Sequence, residues 1–197
     1  MKNIVGYSLG LLLVMTGCAS TDPALRGTPY GLTVVTFDES YDITGSTGRE
    51  LRQGIRQKGP KIGGKSYAGE MYWRIRWRYR SAPSGGECRM EQVEAEIEAT
   101  IILPRWTPPD EVSEDLLQQW KGYLEALSLH EEGHRKIAVE AGSEIIRTLK
   151  AMHAPTCNYM DSDANKRARD ILEKHRARNR QYDIDTSHGA TQGARWS

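Results

Sequence analysis

Two stretches of the sequence alternate between apolar and charged residues, which is the period-two pattern of a half-buried β-strand. Residues 71–79 alternate arginines or tyrosine with Met71, Trp73, Ile75, Trp77 and Tyr79. Residues 93–103 carry Val93, Ala95, Ile97, Ala99, Ile101 and Leu103 at alternate positions, with Glu94, Glu96 and Glu98 between the first four. We predict a hairpin turning at Gly85-Gly86 in the register that pairs Arg74 with Glu98, Arg76 with Glu96 and Arg78 with Glu94.

That register also places the two apolar faces together, with Trp73 beside Ala99 and Ile75 beside Ile97. The arginine row has two interpretations, a ligand-binding patch or a charge-paired solvent face, and the matching glutamates favour the second. Before the hairpin, residues 32–37 and 41–44 predict two short strands. A helix follows that is capped by Ser46 or Thr47 and ends before Gly59-Pro60.

A longer helical pattern runs from about Asp110 to Met152, with Asp110 or Ser113 as its cap. Its apolar residues recur about every 3.6 positions, as Leu116, Trp120, Tyr123, Leu127, Ile137, Ala141, Ile145 and Leu149. Gly133 and Gly142 interrupt this pattern and suggest a close approach of another segment. A second helix is predicted from about Ser162 to Arg178, and residues 181–197 show no periodic pattern, so a disordered tail is the default expectation for them.

These elements predict an α+β fold in which a small antiparallel sheet, built on the Arg/Glu-paired hairpin, packs with the long helix and the C-terminal helix. The formal net charge of +1 gives no indication of nucleic-acid binding. We predict that residues 30–197 form a single domain, preceded by a signal peptide at 1–17 and a tether at 18–29.

The long helix contains His130-Glu131-Glu132-Gly133-His134, which matches the zinc motif H-E-x-x-H. Histidines at i and i+4 rise from one helix face and can share a Zn²⁺ ion, while Glu131 is placed to act as general base. The alternative is a pair of core histidines. Because two imidazoles on an apolar stripe need more polar partners than a core usually offers, the pair favours a metal.

A catalytic zinc needs a third protein ligand and keeps its fourth position for water. An unbroken helix carries Glu140, Glu144 and His153 away from the histidine pair. The remaining candidates are His175 on the second helix and Asp183, Asp185 or His188 in the C-terminal segment.

The N-terminus resembles a bacterial lipoprotein signal. Lys2 is followed by an apolar run from Ile4 to Met15 and by Thr16-Gly17-Cys18, so cleavage before Cys18 and acylation of that cysteine are expected. The alternative is an ordinary signal in which Cys18 is incidental. Ala19 after the cysteine indicates the periplasmic face of the outer membrane as the location, in a bacterial cell envelope.

Export leaves Cys88 and Cys157 as an even pair in an oxidising compartment, and we predict a disulfide between them. The bridge would close a loop of about 70 residues and contribute about 4 kcal/mol on the chain-entropy model. Metal ligation by these cysteines is the alternative, but they lack C-x-x-C spacing.

From about residue 32 to 193 the chain resembles a bacterial family, domain of unknown function 922, whose members have been described as predicted secreted zinc-dependent proteases. The resemblance rests on Trp73 to Trp77, Cys88, Leu103-Pro104-x-Trp106, Trp120, His130-Glu131-x-x-His134-Arg135, Cys157, Tyr182-Asp183-x-x-Thr186-x-His188-Gly189 and Gln192-Gly193. It implies that the C-terminal segment belongs to the domain and that His188 is the third zinc ligand.

The leading hypothesis is a lipid-anchored zinc metallopeptidase. His130, His134 and His188 would bind Zn²⁺, and Glu131 would deprotonate a zinc-activated water that attacks a peptide bond. Tyr182 is a candidate for stabilising the oxyanion, with packing as its alternative role. The substrate partner would be a peptide or protein. The other hypotheses are a non-catalytic envelope binding or assembly lipoprotein with a structural or vestigial metal site, and a structural lipoprotein without metal.

Overall fold

A computed structural model describes residues 30–196. The predicted signal peptide, tether and acylated Cys18 lie outside the described residues. The elements are strand β1 (Leu32–Ile43), helix α1 (Gly48–Lys58), strands β2 (Lys61–Ile62), β3 (Lys65–Ser66), β4 (Glu70–Ser84) and β5 (Glu87–Trp106), helix α2 (Glu114–Lys150), strand β6 (His153–Ala154), helix α3 (Cys157–Thr186) and a 3₁₀ helix (Ala190–Gln192).

The predicted α+β fold is confirmed, and so is the hairpin at its centre. β4 and β5 pair antiparallel around Gly85-Gly86 in the predicted register, with Trp73 opposite Ala99 and Ile75 opposite Ile97. The arginines and glutamates lie on the exposed face and form ion pairs, for example Arg78 with Glu94 at 3.2 Å. The charge-paired solvent face is therefore confirmed.

The main sheet has the order β1–β5–β4, and β6 extends it beside the start of β5. β1 runs parallel to β5, and every residue of β1 pairs with a residue of β5 between Ala95 and Trp106. The prediction of two short strands at 32–37 and 41–44 is wrong, because Asp38, Glu39 and Ser40 continue the backbone ladder opposite Ile101 to Leu103 although their side chains are exposed.

The largest apolar cluster lies between the inner face of the sheet and the two long helices. Small residues of α3, such as Ala164 and Ala168, are fully buried and let that helix approach α2, which contributes Ile145 and Leu149. A Cβ atom on Gly142 would lie 2.9 Å from the side chain of Ile97, so this glycine marks a close approach between α2 and the sheet.

A second apolar cluster joins α1 to the first half of α2. Thr47 caps α1 through a capping box with Glu50. The helix buries Leu51 and Ile55 against a group of aromatic residues, namely Trp106, Trp120, Tyr123 and Trp196. Trp196 also donates a hydrogen bond to the carbonyl of Gly48, at 2.8 Å. The end of the described chain is thereby attached to α1.

Helix α2 begins after its predicted cap Ser113. Helix α3 begins after Thr156 and ends at Thr186, so the prediction that it stops near Arg178 is wrong, and so is the expected disordered tail. The additional helical turns carry mostly polar side chains, and some of these contact α2 instead of forming an apolar stripe. Among residues 30–196, no helix combines the length and apolar character needed to cross a membrane.

The predicted disulfide is confirmed. Cys88 and Cys157 are bonded, with their Cα atoms 5.1 Å apart. The bond connects the start of β5 to the first residue of α3, beside the buried Met160. It excludes the alternative in which these cysteines bind a metal.

Candidate metal centre

The two motif histidines lie on the face of α2 that α3 covers. His130 and His134 are 3% and 4% exposed. Their rings stand nearly perpendicular, with centroids 4.7 Å apart, and their Nε2 atoms are 3.2 Å from each other. Helical i, i+4 spacing explains this approach, because both side chains rise from adjacent turns of one face.

Asp183 of α3 completes a cluster with this pair. Its Oδ1 atom lies 3.3 Å from Nε2 of His130 and 3.1 Å from Nε2 of His134. These two histidines and Asp183 can each offer one ligand atom to a common metal ion. Bonds of about 2.0–2.1 Å to a tetrahedral zinc ion require neighbouring ligand atoms to be about 3.3 Å apart, which is the spacing in this triangle.

The other ring nitrogens of both histidines are occupied by side-chain amides. Nδ1 of His134 lies 2.9 Å from Oδ1 of Asn179, and Nδ1 of His130 lies 3.0 Å from Oε1 of Gln192. Histidines that bind metals usually hold an acceptor at the nitrogen that does not ligate. Both Nε2 atoms are therefore directed at Asp183 and at each other.

Glu131 lies beside the cluster and is 3% exposed. Its Oε2 atom is buried and has no hydrogen-bond partner among residues 30–196. A Cβ atom on Gly69 would lie 2.7 Å from Oε1, so the absence of a side chain at Gly69 lets the carboxylate sit against the start of β4. Burial raises the pKa of Glu131 to about 7, against the opposing effect of the two histidines.

The charges of Asp183 and His134 are coupled. Burial alone would raise the pKa of Asp183, but hydrogen bonds from His130 and His134 and the nearby imidazoles lower it below the usual range. Burial would lower the pKa of His134, but its hydrogen bonds with Asp183 and Asn179 and the nearby negative charges of Asp183 and Glu131 together outweigh burial and raise that pKa. The cluster therefore favours a positive charge near the carboxylate, which a proton or a metal ion can provide.

A cavity of about 260 Å³ opens onto these residues. Its walls come from the segment before β4, from α2 and from the C-terminal part of α3, and they include Tyr67, Gly69, Glu70, Met71, Leu127, His130, Glu131, His134, Asn179, Asp183 and His188. No lysine or arginine lines it. Glu131 and the two imidazoles thus line a cavity and do not lie in a closed apolar core.

His188, the predicted third ligand, lies next to the cluster rather than within it. Its Nδ1 atom is 3.3 Å from Oδ1 of Asp183, and its side chain is 54% exposed. The ring packs against Tyr67 with centroids 5.0 Å apart. The other candidates lie elsewhere: His175 is hydrogen-bonded to Glu144 at 2.7 Å, and Asp185 is exposed.

Tyr182 packs behind the histidines. Its ring stacks on His130 and meets His134 edge-on, with centroids 5.0 and 4.9 Å away. The hydroxyl group accepts a hydrogen bond from Nε2 of Gln192 at 3.0 Å. A Cβ atom on Gly133 would lie 2.5 Å from Cζ of this ring, so Gly133 leaves room for it. Tyr182 does not line the cavity that contains Glu131.

From the sequence, no role was predicted for three of these residues, Gly69, Asn179 and Gln192, although Gln192 is part of the family resemblance. Asn179 lies one helical turn before Asp183, a spacing that would have suggested a common face if α3 had been predicted to continue. Gln192 reaches His130 because the chain reverses at residues 187–189, where Ser187, His188 and Gly189 all have positive φ. Gly69 belongs to no periodic pattern in the sequence, so its contact with Glu131 could not be predicted.

Comparison with known proteins gives a single family. A family model described as a bacterial protein of unknown function, DUF922, matches residues 38–189. The matched region contains the histidine pair, Glu131, Asn179, Asp183 and His188. No curated protein and no solved structure matches the sequence.

Proposed function

This chain belongs to the DUF922 family of bacterial proteins of unknown function, and because membership assigns no activity, we propose from the chemistry of the site that it is a zinc-dependent metallopeptidase. The observation that carries the proposal is the buried carboxylate of Glu131, whose Oε2 atom has no partner within residues 30–196 and which adjoins three convergent metal-ligand atoms. A buried carboxylate without a partner is costly unless a ligand or water satisfies it.

The residues fit a catalytic zinc ion. Two imidazole nitrogens and one carboxylate oxygen, from His130, His134 and Asp183, are ligand types that zinc prefers, and three protein ligands leave one position open. His188 is held at the edge of the site by Asp183. When bound, zinc supplies a Lewis acid that polarises a carbonyl group and makes a water more acidic.

Glu131 acts as the general base and then as the general acid. Its carboxylate accepts a proton from the water whose oxygen attacks the peptide carbonyl carbon, and it returns that proton to the nitrogen as the C–N bond breaks. Burial raises the pKa of this carboxyl group and so makes the carboxylate a better proton acceptor. His130 and His134 would hold the zinc ion, and Tyr182 supports the two imidazoles by packing against them.

We place this activity at the cell envelope, on a protein anchored by lipid at Cys18. The disulfide between Cys88 and Cys157 supports export, because structural disulfides persist in oxidising compartments. The periplasmic face of the outer membrane is the location that follows from the N-terminal sequence.

The test compares wild-type protein with Glu131→Gln on a mixed peptide library, with cleavage products measured by mass spectrometry. We expect the wild type to cleave, Glu131→Gln to retain zinc but lose at least about 100-fold in rate, and Glu125→Gln to behave as wild type. Glu125 is an exposed carboxylate on the same helix. Zinc-loaded wild type that cleaves no peptide would instead support the non-catalytic binding or assembly protein, and full activity in Glu131→Gln would refute the mechanism.

A further inference from the structure

Two side-chain amides outside the ligand cluster contact the histidines. Asn179 projects from α3 and Gln192 from the 3₁₀ helix after it. Each is partly buried. Asn179 has a further polar contact, with Trp73, that restricts which of its atoms can face the imidazole.

The contact at Asn179 determines the proton position on His134. Oδ1 of Asn179 lies 3.4 Å from the indole nitrogen of Trp73, and an indole N–H can only donate. The atom that faces Trp73 must therefore be the amide oxygen. The same oxygen lies 2.9 Å from Nδ1 of His134, so Nδ1 carries a hydrogen, and the other ring nitrogen, Nε2, is the one directed at Asp183.

The contacts around His130 lead to the same result. Its Nδ1 atom faces Oε1 of Gln192 at 3.0 Å and the hydroxyl oxygen of Thr186 at 3.4 Å. The hydroxyl group of Thr186 already donates its proton to the carbonyl of Tyr182, at 2.7 Å. Both neighbours of Nδ1 are acceptors, so Nδ1 carries a hydrogen, and Nε2 is again the nitrogen directed at Asp183.

From these contacts we infer that Asn179 and Gln192 are positioning residues, which keep a hydrogen on Nδ1 of both imidazoles and so leave the two Nε2 atoms to bind a divalent metal. Without them, each ring can rotate or lose the hydrogen on Nδ1, and the metal must overcome that cost. The C-terminal reversal at residues 187–189 then has a function, because it carries Gln192 back onto α2.

The inference rests on the metal site of the proposed function but not on peptidase activity. Its energetic consequence is affinity, because partners that orient metal-ligating histidines typically contribute about 10–100-fold to metal binding. Replacing either amide by an apolar residue should weaken zinc binding, whereas an acidic residue keeps an acceptor at the same place.

The first experiment measures Zn²⁺ affinity by competition with a chromogenic chelator. We expect Asn179→Leu to bind about 10–100-fold more weakly and Asn179→Asp to stay within about threefold of wild type. Asn165→Leu is the matched control. Asn165 accepts from the indole of Trp77 at 3.2 Å, as Asn179 does from Trp73, but within residues 30–196 it has no hydrogen bond to a histidine.

Asn165→Leu should therefore lose a similar tryptophan contact and retain wild-type affinity. The inference is overturned if Asn179→Leu binds zinc as tightly as wild type, or if Asn165→Leu weakens binding equally. Gln192→Glu and Gln192→Met form a second pair. The methionine variant should bind about 10–100-fold more weakly, and the glutamate variant should be close to wild type.

A second readout needs no metal. Nitrogen-15 NMR of the imidazoles in metal-free protein should find a hydrogen on Nδ1 of both His130 and His134, whether or not Nε2 is also protonated towards Asp183. Asn179→Leu should leave Nδ1 of His134 only partly protonated. Rings without a hydrogen on Nδ1 in wild type would overturn the inference, whereas rings with that hydrogen in a protein that binds no zinc would support it and refute the proposed function.

Discussion

Replacing Gly133 by alanine tests whether the packing of α3 against the histidines is as tight as the structure indicates. The new Cβ atom would lie 2.5 Å from Cζ and 2.8 Å from Cε1 of Tyr182, well inside van der Waals contact. The ring must move, yet it is stacked on His130 and contacts His134. The substitution should therefore disturb both stability and the metal site.

The magnitude follows from two opposing terms. Alanine in the interior of a helix stabilises it by about 1 kcal/mol relative to glycine. Forcing a side chain into a packed region costs about 1–3 kcal/mol. Gly122 on the same helix provides the control. Apart from its chain neighbours and the nearby backbone of its own helix, no atom of residues 30–196 lies within 4 Å of where its Cβ atom would be. The helix term is common to both variants, so their difference isolates the overlap.

The assay is urea unfolding in the presence of a chelator, so that metal binding does not contribute. Gly122→Ala should raise the free energy of unfolding by up to about 1 kcal/mol. Gly133→Ala should be about 1–3 kcal/mol less stable than Gly122→Ala and should bind zinc more weakly. Equal stability of the two variants would refute the packing of Tyr182 against Gly133.

Three further predictions concern the third ligand, a charged contact and the disulfide. Asp183→Asn should reduce the zinc content of purified protein, whereas His188→Asn should retain it; the reverse result would support the sequence-based prediction of His188. Hydrogen bonds from Lys174 and His175 lower the pKa of Glu144. The ionised carboxylate should therefore stabilise the fold above its ordinary pKa of 4.5, and this stabilisation should be lost as the pH falls further. The free energies of unfolding of wild type and Glu144→Gln, measured in urea, should become equal in acid. Replacing both bonded cysteines by alanine should lower the free energy of unfolding by about 4 kcal/mol, again by urea unfolding, because the bond spans 69 residues, and an unchanged value would contradict this.

The sequence predicts those features that depend on neighbouring residues or on two matching patterns. The hairpin register could be predicted because one alignment satisfies both faces. It pairs the arginines at 74–78 with the glutamates at 94–98 and also places the apolar residues of the two strands together. The orientation of His130 and His134 followed from i, i+4 spacing alone. The disulfide followed from an even cysteine count in a chain with a predicted export signal.

Features that depend on tertiary contacts were missed. The last turns of α3 are stabilised by contacts with α2. Asp183 and Asn179 therefore lie on a helical face that has no periodic apolar pattern in the sequence. The position of Gln192 beside His130 depends on a chain reversal at three successive residues with positive φ. The parallel pairing of β1 with β5 joins segments far apart in the chain, and its exposed centre, around Asp38, resembles a loop in composition.

The central claim is that His130, His134 and Asp183 hold a zinc ion beside Glu131. It is tested most directly by plasma mass spectrometry of protein purified without chelator, beside the double variant His130→Asn with His134→Asn. We predict stoichiometric zinc in the wild type and none in the double variant, with both proteins folded by circular dichroism. A folded wild type without metal, or equal zinc in the double variant, would contradict the claim.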